Sequence, residues 1–88
     1  MPYIPKKLRP KYKSILEQLP TIDNKGDLEY CIYYLMLKFM STREARYSTL
    51  HEAVYASQHC ADEFRRNFLD KREDVAKEKN GEITLWVV

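Results

Sequence analysis

The sequence predicts a small all-α protein with a three-helix arrangement, and three observations support this. Only two of the 88 residues are glycine, which argues against a loop-rich all-β fold. Apolar residues recur at helical spacing in three separate segments. The longest of these segments, from about residue 50 to 79, contains no glycine or proline. We therefore expect one small domain, residues 1–88, with an arm at 1–10, a helical body at 11–82 and a hydrophobic tail at 83–88.

The arm and the first helix are separated at Pro10. Prolines at positions 2, 5 and 10 predict an extended arm, with Tyr3 and Ile4 laid onto the helical body. Pro10 suits the first position of a helix, and a short helix is predicted from there to Pro20. Its apolar residues are Tyr12, Ile15, Leu16 and Leu19.

The central helix, residues 28–40, is the element around which the rest must be organised. It is apolar on two sides, and only Glu29 and Lys38 carry charge. One side carries Leu28, Cys31, Ile32, Leu35 and Phe39, and the other carries Tyr30, Tyr33, Tyr34, Leu37 and Met40. A helix that is apolar nearly all round is expected to be buried. Asp27 is predicted either to cap this helix or to add charge to its first turn.

The third helix is predicted over about residues 50–79. Thr49 and Glu52 have the T-x-x-E spacing of a capping box, and Asn80-Gly81 is a typical helix stop. The segment 83–88 is β-prone and contains the single tryptophan.

The length of the third helix predicts self-assembly. Thirty helical residues span about 45 Å, whereas a compact chain of this size is about 30 Å across. Either the helix breaks near residues 70–74 or a second subunit covers its far end. One apolar row at coiled-coil spacing is formed by Val54, Ala61, Phe68 and Val75. The second row decays to Ser57, Lys71 and Glu78, so we expect helix-on-helix packing in a homo-oligomer instead of a regular coiled coil. The predicted interface residues are Phe64, Phe68, Val75, Leu85 and Trp86.

The sequence gives little support for catalysis, so we expect no enzymatic activity, no cofactor and no metal. His59 and Cys60 are adjacent and would point about 100° apart on a helix. The cysteines, Cys31 and Cys60, lie in apolar helical contexts and are expected to be reduced core thiols, with a structural disulfide as the alternative. No C-x-x-C spacing exists, which argues against a metal site. No signal peptide and no segment of about 20 apolar residues is present, which predicts a soluble cytoplasmic protein.

Two features suggest a binding function. Arg65 and Arg66 could hold a phosphate, with Tyr30 or Tyr34 stacked on a base and Arg9 contributed by the arm. Ion pairs of these arginines with Asp62, Glu63 or Asp70 are the alternative. The second feature is a basic arm, which could bind nucleic acid or be simply solvated. Its charges precede the first acid, Glu17, and belong to Lys6, Lys7, Arg9, Lys11 and Lys13.

The chain resembles a family of small uncharacterised proteins of bacteriophages and prophages. The resemblance rests on the M-P-Y-I-P start, on G-D-L-E-Y at 26–30, on E-F-R-R at 63–66 and on N-G-E at 80–82. Lys71 stands where the family usually has proline. The resemblance implies a phage accessory protein inside a host bacterial cell. By analogy with such proteins, we expect an anti-defence role, in which the protein binds a host protein or sequesters a nucleotide signal.

Overall fold

The computed structural model describes residues 2–83, and all regular structure in this range is helical. The last helix is one continuous helix of 34 residues that contains a π-helical turn. The elements in order are a 3-10 turn Lys6–Leu8, α1 Pro10–Glu17, α2 Lys25–Met40, and α3 with its segments Tyr47–Phe64, Arg65–Leu69 (the π turn) and Asp70–Asn80. The predicted all-α class, with three helices and a long last helix, is confirmed.

The helix starts follow from local capping. α1 begins at Pro10 as predicted and ends before Pro20. α2 begins earlier than predicted, because the side chain of Asn24 accepts a hydrogen bond from the backbone N–H of Asp27 at 2.8 Å. Of the two roles predicted for Asp27, the structure shows the second, a negative charge in the first turn.

The two ends of α3 differ in how well they were predicted. The capping box predicted for Thr49 and Glu52 is wrong, because the helix already begins at Tyr47. The hydroxyl of Thr49 instead accepts a hydrogen bond from the backbone N–H of Arg46 at 3.1 Å. The predicted stop is confirmed: α3 ends at Asn80, and Gly81 has a φ of 91°, in the region that favours glycine.

The arm is attached to the middle of α3. The hydroxyl of Tyr3 donates to Glu63 Oε1 at 3.1 Å. Nδ2 of Asn67 donates to both the Tyr3 hydroxyl, at 3.3 Å, and Glu63 Oε1, at 3.1 Å. The prediction of extended chain throughout residues 1–10 needs correction, since Lys6–Leu8 forms a single 3-10 turn.

The α2 helix packs against the first segment of α3, and this pair is the centre of the fold. Ala53 is the one buried residue in the described range, with 6% of its surface exposed. Thr49 and Ser57, one turn to either side, are half-buried. These short side chains let the two helices approach each other closely. The prediction that α2 is buried is wrong within a single chain, because α2 has one helical neighbour and its other side is open.

The chain is elongated, and the distal part of its last helix does not fold back. Its radius of gyration is 17.9 Å, whereas a compact domain of this length has about 12 Å. Of the two alternatives predicted for α3, the structure shows the unbroken helix, which continues through residues 70–74. No Cα atom of α2 lies within 8 Å of a Cα atom in the π turn or in the last segment of α3. The distal part of α3, residues 64–80, therefore extends past its helical partner.

Candidate functional site

The tyrosine face of α2, formed by Tyr30, Tyr33, Tyr34 and Leu37, is the first candidate surface. All four side chains are exposed, and Tyr30 exposes 70% of its surface. The rings of Tyr30 and Tyr34 lie 6.2 Å apart, tilted by 32°. At about 100° per residue, these two rings project away from the half-buried side of α2 that carries Met36. Two exposed adjacent rings can stack on a flat ligand or pack against a partner.

The predicted phosphate ligands, Arg65 and Arg66, open the π turn. The backbone N–H of Asp70 donates to the carbonyl oxygen of Arg65, and this five-residue spacing defines the turn. Single π turns within α-helices occur frequently at functional sites. Within the described residues, neither arginine forms an ion pair, so the alternative interpretation with Asp62, Glu63 or Asp70 is not observed. Both arginines are exposed in one copy of the chain.

The position of the Glu63 side chain helps to explain why Arg65 and Arg66 form no ion pair within the described residues. Glu63 is half-buried, and its Oε1 accepts hydrogen bonds from Tyr3 and Asn67. These hydrogen bonds hold the carboxylate of Glu63 towards Tyr3 and Asn67 instead of towards the two arginines. Arg66 lines a shallow, open hollow together with His59, Asp62 and Glu63.

The other predicted ligand residues do not meet Arg66 in one chain. Tyr30 lines a separate hollow with Cys31, Asp27 and residues 19–22. The two hollows have no residue in common. Nε of Arg9 donates to the carbonyl oxygen of Ile4 at 2.9 Å, so this side chain fixes the arm. One copy of the chain therefore presents the tyrosines and the arginines as separate surfaces.

The predicted interface residues in the described range are exposed. Phe64, Phe68 and Val75 expose 66%, 58% and 64% of their surfaces. The rings of Phe64 and Phe68 lie 4.7 Å apart and form one apolar patch. The predicted row through Val54, Ala61, Phe68 and Val75 crosses the π turn. Hydrogen bonds there join residues five apart instead of four, so the distal part of the row is rotated about the helix axis. Leu85 and Trp86 lie outside the described residues.

Sequence reasoning missed a ladder of alternating tyrosine and histidine on α3. Its members are Tyr47, His51, Tyr55 and His59, with ring centroids 4.2, 5.1 and 6.3 Å apart in turn. At about 100° per residue, this Tyr–His ladder lies on the side of α3 away from Ala53 and hence away from α2. The signal in the sequence is the repeat of aromatic rings at every fourth position.

The described residues hold no assembled metal site, since no three His, Cys, Asp or Glu side chains in this range are grouped to share an ion. Cys31 and Cys60 are free thiols. Their placement in a core was wrongly predicted, because Cys31 is half-buried and Cys60 is exposed. None of the helices in residues 2–83 is both long enough and apolar enough to cross a membrane.

Comparison with known proteins identifies one family. The family described as "Domain of unknown function (DUF6899)" matches residues 1–83, nearly the whole chain. No curated protein and no solved structure matches the chain.

Proposed function

We propose that this chain, which belongs to the DUF6899 family, is a non-catalytic binding protein that works as a homo-oligomer. The observation that carries the proposal is the lack of a core in one copy. Ala53 is the single buried residue of the described chain, while large apolar side chains on all three helices are exposed. Burial of apolar surface is the main favourable term in folding, so this much exposed apolar surface favours a partner.

The surface area supports the same conclusion. The chain exposes 8710 Å², whereas a compact monomer of its mass exposes about 5,500 Å². The difference is about 3,200 Å² per copy, whereas permanent subunit interfaces bury about 2,000–5,000 Å² in total, or about 1,000–2,500 Å² from each copy. The excess is therefore large enough to supply such an interface. A second copy is the simplest partner, because it is present wherever the first copy is made.

The finer part of the proposal concerns the biological role. The protein acts as a phage-type accessory protein in the cytoplasm of a host bacterium, where it inhibits host defence or regulation. It does so by binding a host protein or by sequestering a nucleotide signal. Exposed arginines that lack acidic partners within residues 2–83 support the nucleotide version, because guanidinium groups bind phosphate through two parallel hydrogen bonds.

The geometry of one chain sets a condition on nucleotide binding. Tyr30 and Tyr34 line a different surface from Arg66. A ligand held by both sets would bridge two copies, with its phosphate on one copy and its base on the tyrosine face of the other. Nucleotide binding and self-assembly would then be coupled.

The test is calorimetric titration of the purified full chain with a panel of linear and cyclic nucleotides. We expect that Arg66→Ala weakens binding about tenfold or more, since a hydrogen bond to a charged group contributes about 1.5–3 kcal/mol. Arg72→Ala is the matched control, because Arg72 lies on the same helix beyond the π turn. Equal affinity for the wild type and Arg66→Ala would contradict the role of this arginine. Chemical conversion of any nucleotide during the titration would contradict a non-catalytic function.

Nucleic-acid binding by the arm is the alternative, and the charge of residues 6–13 favours it. Lys6, Lys7 and Lys11 form no ion pair in the described chain, and Lys11 lies over the ring of Tyr12 at 5.3 Å. A labelled single-stranded oligonucleotide would then bind with an affinity that falls steeply with salt. Replacing these three lysines by glutamate would abolish that binding. Sequestration of a small nucleotide predicts a weak dependence on salt instead.

A further inference from the structure

Helix α1 carries an apolar stripe that its own chain leaves uncovered. The stripe recurs at helical spacing and consists of Tyr12, Ile15 and Leu16, all of them exposed. Leu19 follows the helix and lines the hollow beside α2. Ile15 exposes 65% of its surface. No Cα atom of α1 lies within 8 Å of a Cα atom of α2 or α3. The chain thus contains a short amphipathic helix with no helical partner in the same copy.

Such a helix requires a partner. α1 has eight residues, and isolated helices shorter than about 12–15 residues are marginal in water. Its side chains add little: the ion pair between Lys13 and Glu17, at 3.8 Å, is solvent-exposed and therefore weak. Packing of the apolar stripe must supply most of the free energy that keeps α1 helical.

The distal part of α3 offers a matching surface. Phe64, Phe68, Leu69 and Val75 are exposed there, and none of them can donate a hydrogen bond to water through its side chain. The other two open surfaces, the tyrosine face of α2 and the Tyr–His ladder, carry hydroxyl and imidazole groups that water can satisfy. The α1 stripe and the distal part of α3 are therefore the two surfaces with the most to gain from burial.

We propose that α1 of one copy packs against the distal part of α3 of a second copy, in a reciprocal exchange. This inference rests on the homo-oligomer proposed above and names the segments that form it. The arm places α1 suitably, because Tyr3 is bound to Glu63 and Asn67 at the start of the distal part. Seven residues from Tyr3 to Pro10 reach at most about 25 Å. α1 of each copy therefore begins within about 25 Å of the start of the distal part of α3.

Symmetry and area support the exchange. In a two-fold dimer, each contact occurs twice, so each copy both gives an α1 and receives one. Both surfaces of each copy are then covered at once. The two uncovered surfaces form part of each copy's excess of about 3,200 Å² over a compact monomer, and a permanent interface needs about 1,000–2,500 Å² from each copy. A single pair of copies can therefore satisfy both surfaces without forming an open filament.

Disulfide cross-linking between two differently labelled full-length chains tests the exchange. Cys31 and Cys60 are first replaced by serine. One chain then carries Ile15→Cys, and an isotopically heavy chain carries Phe68→Cys. After mixing and mild oxidation, mass spectrometry is expected to find the mixed light–heavy dimer. The matched control is Ser14→Cys, on the opposite side of α1 from the stripe, and we expect at least about tenfold less mixed product.

The outcomes separate this inference from the proposed oligomer. If the chain sedimented as an oligomer but Ile15→Cys cross-linked no better than Ser14→Cys, the exchange would be wrong and the homo-oligomer would stand. A monomer in every sample would overturn both. A third sample is a single chain that carries both Ile15→Cys and Phe68→Cys. If this chain formed an internal disulfide in dilute solution, α1 would pack against its own α3 and the exchange would be wrong. Ile15→Glu provides a second check: circular dichroism reports whether α2 and α3 stay helical, and we expect a lower oligomer mass.

Discussion

Single residues determine where the helices of this chain begin and end. Asn24 starts α2 through its side chain, and Gly81 ends α3 with a backbone conformation that other residues adopt poorly. The stop at Gly81 could be predicted because the Asn-Gly pair is a strong local signal. The start at Asn24 was not predicted, because residues 21–27 contain several side chains able to cap and only the folded geometry selects one.

The first prediction concerns the cap of α2. Replacing Asn24 by alanine removes the acceptor for the backbone N–H of Asp27. We expect the free energy of unfolding to fall by about 1 kcal/mol, measured by urea denaturation at one fixed protein concentration. Asp23→Ala is the matched control, since this neighbouring residue does not cap the helix. Equal stabilities of the two variants would show that the cap contributes nothing.

At the scale of elements, the π turn in α3 is the least predictable feature. The turn contains neither glycine nor proline, and helical spacing alone predicts an α-helix through Arg65–Leu69. It lies where the arm contacts α3 through the hydrogen bond from Tyr3 to Glu63, two residues that are sixty positions apart. Contacts of this kind have no local signature. The predicted arginines lie in the turn, but their freedom from ion pairs within residues 2–83 emerged from the structure.

The second prediction concerns the contact between α2 and α3. Ala53 is the buried residue of that contact, so a larger side chain there would force the helices apart. Ala53→Leu is expected to lower the free energy of unfolding by about 1–3 kcal/mol. Ala45→Leu, at an exposed position in the loop before α3, is expected to change it by less than about 0.5 kcal/mol. Thermal unfolding followed by circular dichroism compares the two. A neutral Ala53→Leu would mean that α2 does not pack closely at this position.

At the scale of the whole molecule, the shape of the chain leads to the proposed function. The sequence predicts both that α2 is apolar on two sides and that α3 is longer than a compact chain of this size. Both features indicate that one copy of the chain cannot bury all of its apolar surface. The sequence could not predict that Tyr30 and Arg66 lie on different surfaces, because this depends on which sides of α2 and α3 face each other. Periodicity locates apolar faces along each helix but does not say which face meets which.

Sedimentation equilibrium of the unmodified full-length chain tests the central claim most directly. The account predicts a mass of twice 10.6 kDa or a higher multiple, held over a range of protein concentrations. The physical reason is that one copy buries little beyond Ala53 in its described part, so association must cover the apolar surface. A stably folded species of 10.6 kDa at every concentration would contradict the account, because a single copy would then be sufficient for folding.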